Sequence, residues 1–178
     1  MAGTFIRVDD ENARTALAEL ARLIGNPEAA LRDIGAYLER SHDERFAAGE
    51  APDGSKWAPL SESYRAIKPQ HQDKVLVLEG HLRNSLHYQI EDDGLLFGTD
   101  RIYGAVHQFG AAMGEFGRYY QLSRLKYDKN DFRRHAGSKK GHPIPWGDIP
   151  ARPFVGLSDA DREEIAAILE EHIQAAIG

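Results

Sequence analysis

The sequence predicts an α+β fold, a small antiparallel sheet packed with N-terminal and C-terminal helices and interrupted by a long basic loop. Three observations predict it. Amphipathic helical periodicity occurs near both ends of the chain, alternating apolar runs flank an Asp-Asp-Gly turn in the middle, and two Gly- and Pro-punctuated apolar segments enclose a polar excursion. The first of these segments is Tyr103 to Gly110 and the second is Ile149 to Gly156, with 38 residues between them. Their shared apolar character predicts that the two lie close in the fold. Residues 111–148 then form a projecting loop, on a single domain spanning 1–178.

Phe5 and Ile6, with polar neighbours, begin a short strand over residues 4 to 8. From Glu11 to Ile24, the residues Ala13, Leu17, Leu20, Ala21 and Ile24 recur at helical spacing, and Gly25 ends the pattern. Asn26-Pro27-Glu28 supplies a capping side chain, a ring suited to the first helical position and an acid at the positive end of the dipole. The helix it starts buries Leu31, Ile34 and Leu38, with Ala30 and Phe46 alongside, turns Arg32, Glu39, Arg40 and Asp43 outward, and ends at Gly49.

Pro52-Asp53-Gly54 is a turn, since proline presets its first corner and glycine accepts a positive φ, and Trp57 and Leu60 tuck the loop onto the body. Ser61 caps a short helix through Tyr64 and Ile67, which the polar run from Lys68 to Lys74 ends. Leu76, Leu78 and Leu82 make either another short helix or an extended ledge. Leu86, Tyr88 and Ile90 alternate with polar residues, Asp92-Asp93-Gly94 reverses the chain, and Leu95 to Phe97 run back as a hairpin. Tyr103 to Phe109 fits a short helix, and Arg152 to Val155 a third strand that Pro153 limits to an edge or a strand start. Ser158-Asp159-Ala160-Asp161 caps a final helix with Ile165, Ile168, Leu169, His172, Ile173 and Ala176 on its apolar stripe.

Composition narrows the chemistry. The 178 residues contain no cysteine, which removes disulfides, thiolate nucleophiles and cysteine metal sites. No apolar run suits a secretion signal or approaches the ~18 residues of a membrane span, so the expectation is a protein made and kept in the cytoplasm, with no membrane partner. The formal charge of -6 hides an asymmetry: Arg118 to Lys140 carries eight bases against Asp128 and Asp131, a net +6 that leaves -12 elsewhere.

None of the eight histidines has a metal spacing, and the pair His135 and His142 lacks a nearby third ligand. His107, in the most apolar surroundings, suits a core histidine bonded to a backbone carbonyl better than a general base. Gly137-Ser138-Lys139-Lys140-Gly141 lacks the spacing of a phosphate loop. The expectation is therefore no enzyme, no metal and no cofactor. In the basic window, Arg118, Arg124, Lys126, Lys129, Arg133, Arg134, Lys139 and Lys140 interleave with Tyr119, Tyr120, Tyr127 and Phe132. Such a pattern suits nucleic acid or an acidic protein, and another copy of this acidic chain is one such protein.

Several motifs occur in a telling order. Phe46 stands near a glycine; Pro52-Asp53-Gly54 is followed by Trp57 and Leu60; Gly80-His81-Leu82-Arg83-Asn84-Ser85 comes next. Then come Tyr103 through His107-Gln108-Phe109-Gly110, and Ile149-Pro150-Ala151-Arg152-Pro153-Phe154 followed by Asp161. Over about residues 30 to 177 this order resembles the phage virion morphogenesis family, the tail-completion proteins of Mu-like and P2-like tailed phages. The resemblance implies a small non-enzymatic structural protein at the tail end or head-tail junction and a homo-oligomeric ring beside other tail or neck proteins; the expectation for the basic loop is that it engages an adjacent ring or faces DNA in the channel. It also implies assembly in the bacterial host cytoplasm and a place in the virion. In this frame Trp57, Tyr103, Phe109 and Phe154 are core or ledge aromatics, Arg152 is a buried or interfacial ion-pair donor, and His107 and Gln108 belong to the scaffold motif. The alternative is a nucleic-acid-binding module that uses residues 118–140.

Overall fold

Pro27 and Gly49 bound the longest helix, α1 (Glu28–Ala48), because proline suits a helix start and Gly49 takes the left-handed conformation at φ 71° that closes the last turn. The computed structural model describes residues 4–6, 15, 18, 27–91, 94–112, 118–119, 142–143 and 148–177. Pro27 itself occupies the cap position of α1 without a side-chain cap bond, and Asn26 lies outside the described residues. Of the periodic run from Glu11 to Ile24, only Thr15 and Ala18 are described, and both are helical. Ala30, Leu31, Ile34, Leu38 and Phe46 are buried on one face of α1, while Arg32, Glu39, Arg40 and Asp43 are exposed.

Three antiparallel strands form the sheet: β1 (Thr4–Ile6), β2 (Leu86–Glu91) and β3 (Gly94–Thr99), in the order β1-β3-β2. The β2–β3 hairpin pairs Glu91 with Gly94 and Leu86 with Thr99, so its register follows from a two-residue connection. Asp92 and Asp93 of that connection lie outside the described residues. The sheet meets α1 at Gly35, where a Cβ would come within 2.4 Å of the Tyr88 ring. Only glycine lets the ring lie flat on the helix there.

The place expected for a third strand at Arg152 to Val155 is filled differently. That segment has no strand pairing, and β1 is the third strand. Its amide and carbonyl groups bond to the Gln108 side chain and the His107 carbonyl, which leaves them unavailable to a ladder.

Two short helices follow the sequence expectation. In α2 (Glu62–Ile67), the Ser61 Oγ accepts from the Tyr64 amide at 3.3 Å. All of α2 is nevertheless exposed, so its docking face has no core behind it. The second is α3 (Gly104–Phe109). Between α2 and the hairpin, residues 75–82 form neither a helix nor an extended run but a series of bends, with Leu76 and Gly80 at φ 58° and 81°. There, Lys68 is 2% exposed and its ammonium donates to the carbonyls of His71, Lys74 and Val77, stitching the turns together.

The last helix, α4 (Asp159–Ile177), opens with a reciprocal cap: Ser158 Oγ accepts from the Asp161 amide at 3.1 Å, and Asp161 accepts from the Ser158 amide at 2.6 Å. Ile165 and Leu169 are buried, Ile168, His172 and Ile173 are half-buried, and Ala176 falls outside the stripe as an exposed residue. Asp161 also accepts from Tyr37, Ser41 and Arg45, a buried cluster that joins α4 to α1. His42 sits beside it, 1% exposed, with Nδ1 on the Leu38 carbonyl at 2.7 Å.

Within the excursion, β4 (Arg118–Tyr119) pairs antiparallel with β5 (His142–Pro143). At its base, Ala111 and Ile149 exchange backbone hydrogen bonds of 2.9 and 2.8 Å.

Candidate functional site

The two apolar segments interlock through one amide side chain. Gln108 is 8% exposed; its Oε1 accepts from the Phe154 and Val155 amides at 2.9 and 3.1 Å, and its Nε2 donates to the Val155 carbonyl at 2.9 Å. One side chain thus replaces a neighbouring strand. The Arg152 amide donates to the His107 carbonyl at 2.7 Å, and Gly110 takes φ 77° where a Cβ would lie 2.8 Å from the Ile149 carbonyl oxygen. Behind this joint, Phe46 packs edge-on against Trp57 and Phe154 at ring separations of 5.1 and 5.8 Å. Trp57 Nε1 donates to the Pro153 carbonyl at 2.7 Å, so the Pro-Asp-Gly loop is anchored to the same segment.

Arg152 is buried, as expected, but its partners are not acids. Its Nε donates to the Ala58 carbonyl at 2.7 Å and its Nη2 to the Pro59 carbonyl at 3.0 Å, with no carboxylate in ion-pairing range among the described residues. Backbone oxygens of the loop already fill its donor directions. Burial alone holds its guanidinium below the usual arginine range. His107 also departs from expectation: among the described residues no carbonyl accepts from its ring, and Nδ1 is buried without a hydrogen-bond partner. Burial, then the nearby Arg152 charge, push its pKa down, so the imidazole is held neutral.

Tyr103 and Phe109 are not core residues, at 42% and 69% exposed. Their positions explain this: α3 buries Gly104 and Gln108 and half-buries Ala105 to His107, while Tyr103 precedes its first residue and Phe109 is its last. Tyr103 and His107 share one face, in ring contact at 5.9 Å.

That face borders an open groove of about 820 Å³ between α2, residues 75–82 and the Ile149–Arg152 segment. Leu60, Leu76 and Leu78 supply apolar wall, Lys68 and Arg152 buried cations, and Glu62, Glu79 and Asp148 an acidic rim. Sequence reasoning placed several of these residues on the scaffold but missed the groove. The signal available was Tyr64, an aromatic residue on a helix too short to bury it, close to Leu60.

Of the basic residues expected to contact a partner, Arg118 lies in β4. Arg124, Lys126, Lys129, Arg133, Arg134, Lys139 and Lys140 lie outside the described residues. No group of three or more potential metal-ligating side chains occurs among the described residues, nor any helix long and apolar enough to cross a membrane.

Comparison with known proteins places this geometry in a family. Protein G of Escherichia phage Mu, assigned by name to capsid assembly, is 27% identical over 176 residues, covering 97% of this chain and 95% of its own length. FluMu G protein 1 of a Mu-like prophage in Haemophilus influenzae is 26% identical over 146 residues, covering 80% of this chain and 76% of its own. FluMu G protein 2 of the same organism is 23% identical over 175 residues, covering 97% and 99%. No solved structure matches. The family model for phage virion morphogenesis matches residues 8–174, the whole of the interlocked body included, and the chain belongs to the phage virion morphogenesis family.

Proposed function

We propose that this structural phage assembly protein acts in tail completion or as a neck component at the head-tail junction, by associating into a ring of identical subunits and without a catalytic step. Assembly begins in the host cytoplasm and ends with the protein in the virion. The observation that carries this reading is the open groove at the interlocked family segments, together with the clustering of exposed large apolar side chains on the elements around it. Exposed large apolar side chains grouped on neighbouring elements suit protein association. The capsid-assembly name of the Mu relative fits a part that meets the head, and the tail-completion resemblance fits one that meets the tail. A junction component satisfies both.

The excursion supplies a second contact. Its Arg118–Lys140 window, at +6 on a chain otherwise at -12, suits docking on an acidic neighbouring subunit. DNA in the channel is the other reading of the same charge, since eight cations with interleaved tyrosines suit phosphate and bases.

Complementation tests the proposal. A phage lacking the gene is expected to accumulate separate heads and tails by electron microscopy, and the full chain to restore joined particles. A chain lacking residues 113–146 is expected to fold but not to restore them. Normal infectious particles from the gene-deleted phage would overturn the reading.

A further inference from the structure

The sheet order β1-β3-β2 leaves β2 with one neighbouring strand and an open outer edge. Which backbone groups face that edge follows from the hairpin. Residues joined by a two-residue connection pair only by exchanging both of their hydrogen bonds, so Glu91 and Gly94 form such a pair, and the unbroken register makes Gln89 with Leu96 and His87 with Gly98 the next ones. Leu86, Tyr88 and Ile90 therefore turn their amides and carbonyls away from β3. The Leu86 amide donates to the Arg83 carbonyl, which closes the turn before the strand. The outward amides and carbonyls of Tyr88 and Ile90 have no hydrogen-bond partner among the described residues.

Outer strands are commonly protected from further pairing by lysine, proline, a bulge or shortness. Of these β1 has shortness, at 3 residues, and β2 has none: it runs for 6 residues without lysine, proline or a break in register, and Glu91, its one acid, stands at the turn end. The edge is also complementary to itself. Laid antiparallel about a two-fold axis at Gln89, two copies of β2 set each Tyr88 opposite the Ile90 of the other copy, and every outward group of both residues is bonded. On the side of the sheet that carries α1, where the Tyr88 ring meets Gly35, an aromatic residue then lies beside a β-branched one. On the opposite side Gln89 meets its own copy, amide to amide, and His87 faces Glu91, so no like charges meet. Neighbouring registers satisfy less: an axis at Tyr88 sets Ile90 against Leu86, whose amide is already donated, and an axis at Ile90 sets Tyr88 against the turn.

We propose that the outer edge of β2 is an interaction surface for a second copy of this chain, the two strands pairing antiparallel about Gln89 so that two sheets become one continuous sheet. The contact uses the same patch on both copies and closes at a pair. It is therefore separate from the side-by-side contacts that close a ring, and goes beyond the assembly proposed above by joining subunits two by two.

The test uses the full chain with single changes at Gln89, an exposed residue, and retention of the fold is checked by thermal melting. By light scattering across concentration, the wild-type chain is expected to reach at least the dimer mass. Gln89→Lys and Gln89→Glu each bring like charges face to face on the axis, and each is expected to weaken pairing about fivefold. Mixing the two variants is the decisive step, because opposite charges then meet and pairing is expected to return to at least the wild-type strength. A second measurement uses the absence of cysteine from the chain. Cα atoms in such a non-hydrogen-bonded pair stand about 4.5 Å apart, within disulfide reach, so an oxidised Gln89→Cys chain is expected to run as a linked dimer on a denaturing gel. Where a charge unfolds the chain, that disulfide on the folded chain decides. A wild-type chain that stays monomeric, a mixture that pairs no better than its components, or a Gln89→Cys chain that oxidises without forming the linked dimer would each overturn the edge pairing.

Discussion

Gln108 carries the joint between the two halves of the family signature, and its chemistry is that of a peptide bond displaced onto a side chain. It satisfies two buried amides and one carbonyl of the Phe154–Val155 backbone. A Gln108→Leu change keeps approximate volume but orphans those groups, and each unmet buried group costs about 1–3 kcal/mol. The variant is expected to lose about 2–5 kcal/mol of unfolding free energy, measured by urea titration; a loss below about 1 kcal/mol would mean that water or a backbone shift replaces the amide. Little of this role was legible beforehand. His-Gln-Phe-Gly showed an apolar segment with an embedded amide, and nothing local to Gln108 reveals which backbone lies 46 residues away.

Between elements, the principal clamp is the buried cluster of Tyr37, Ser41, His42 and Arg45 on α1 with Asp161 on α4. His42 makes this clamp acid-sensitive. Burial, and then the charge of Arg45, lower its pKa from 6.5 to about 4. A depressed pKa means that the unfolded chain takes up the proton first as pH falls. Stability is therefore fully present above pH 6.5 and is lost progressively as pH falls from 6.5 toward 4, by on the order of 3 kcal/mol from this one ring. The shift at His107 acts in the same direction. Melting temperature is expected to be flat above pH 7 and to decline across that window, with the His42 ring titrating near 4 by NMR. A His42 ring that titrates near 6.5 would show that α1 and α4 open enough to hydrate it. The helices themselves were readable, since Pro27, Gly49 and the Ser158 cap are local signals. The clamp was not, because Arg45 and His42 look like outward polar positions until α4 is laid across them.

Over the whole molecule, charge is divided between an acidic body and a basic excursion, and that division bears on what the excursion meets. Eight cations in the window attract phosphate, while the surrounding -12 opposes close approach of a duplex. Duplex DNA is accordingly expected to shift in gels only at low salt and to be released by about 0.15 M, where the Debye length is about 8 Å. A complex that survives such salt, and is lost in the Arg133→Glu, Arg134→Glu double variant, would establish the nucleic-acid reading instead.

The sequence by itself determined the α+β class, the helix limits and the hairpin register, because periodicity, caps and a two-residue turn act over a few residues, and the order of its motifs carried the resemblance to the family. It also predicted that the Tyr103–Gly110 and Ile149–Gly156 segments lie close, as the Ala111–Ile149 bridge and the Arg152 amide on the His107 carbonyl show. Tertiary structure decided the rest: that Arg152 to Val155 bonds to a side chain instead of joining the sheet, that Arg152 faces carbonyls, and that Tyr103 and Phe109 stand at the surface. Those outcomes depend on which distant backbone arrives first at a donor or an apolar face. Chain-local chemistry cannot specify that encounter, and packing of the whole core does.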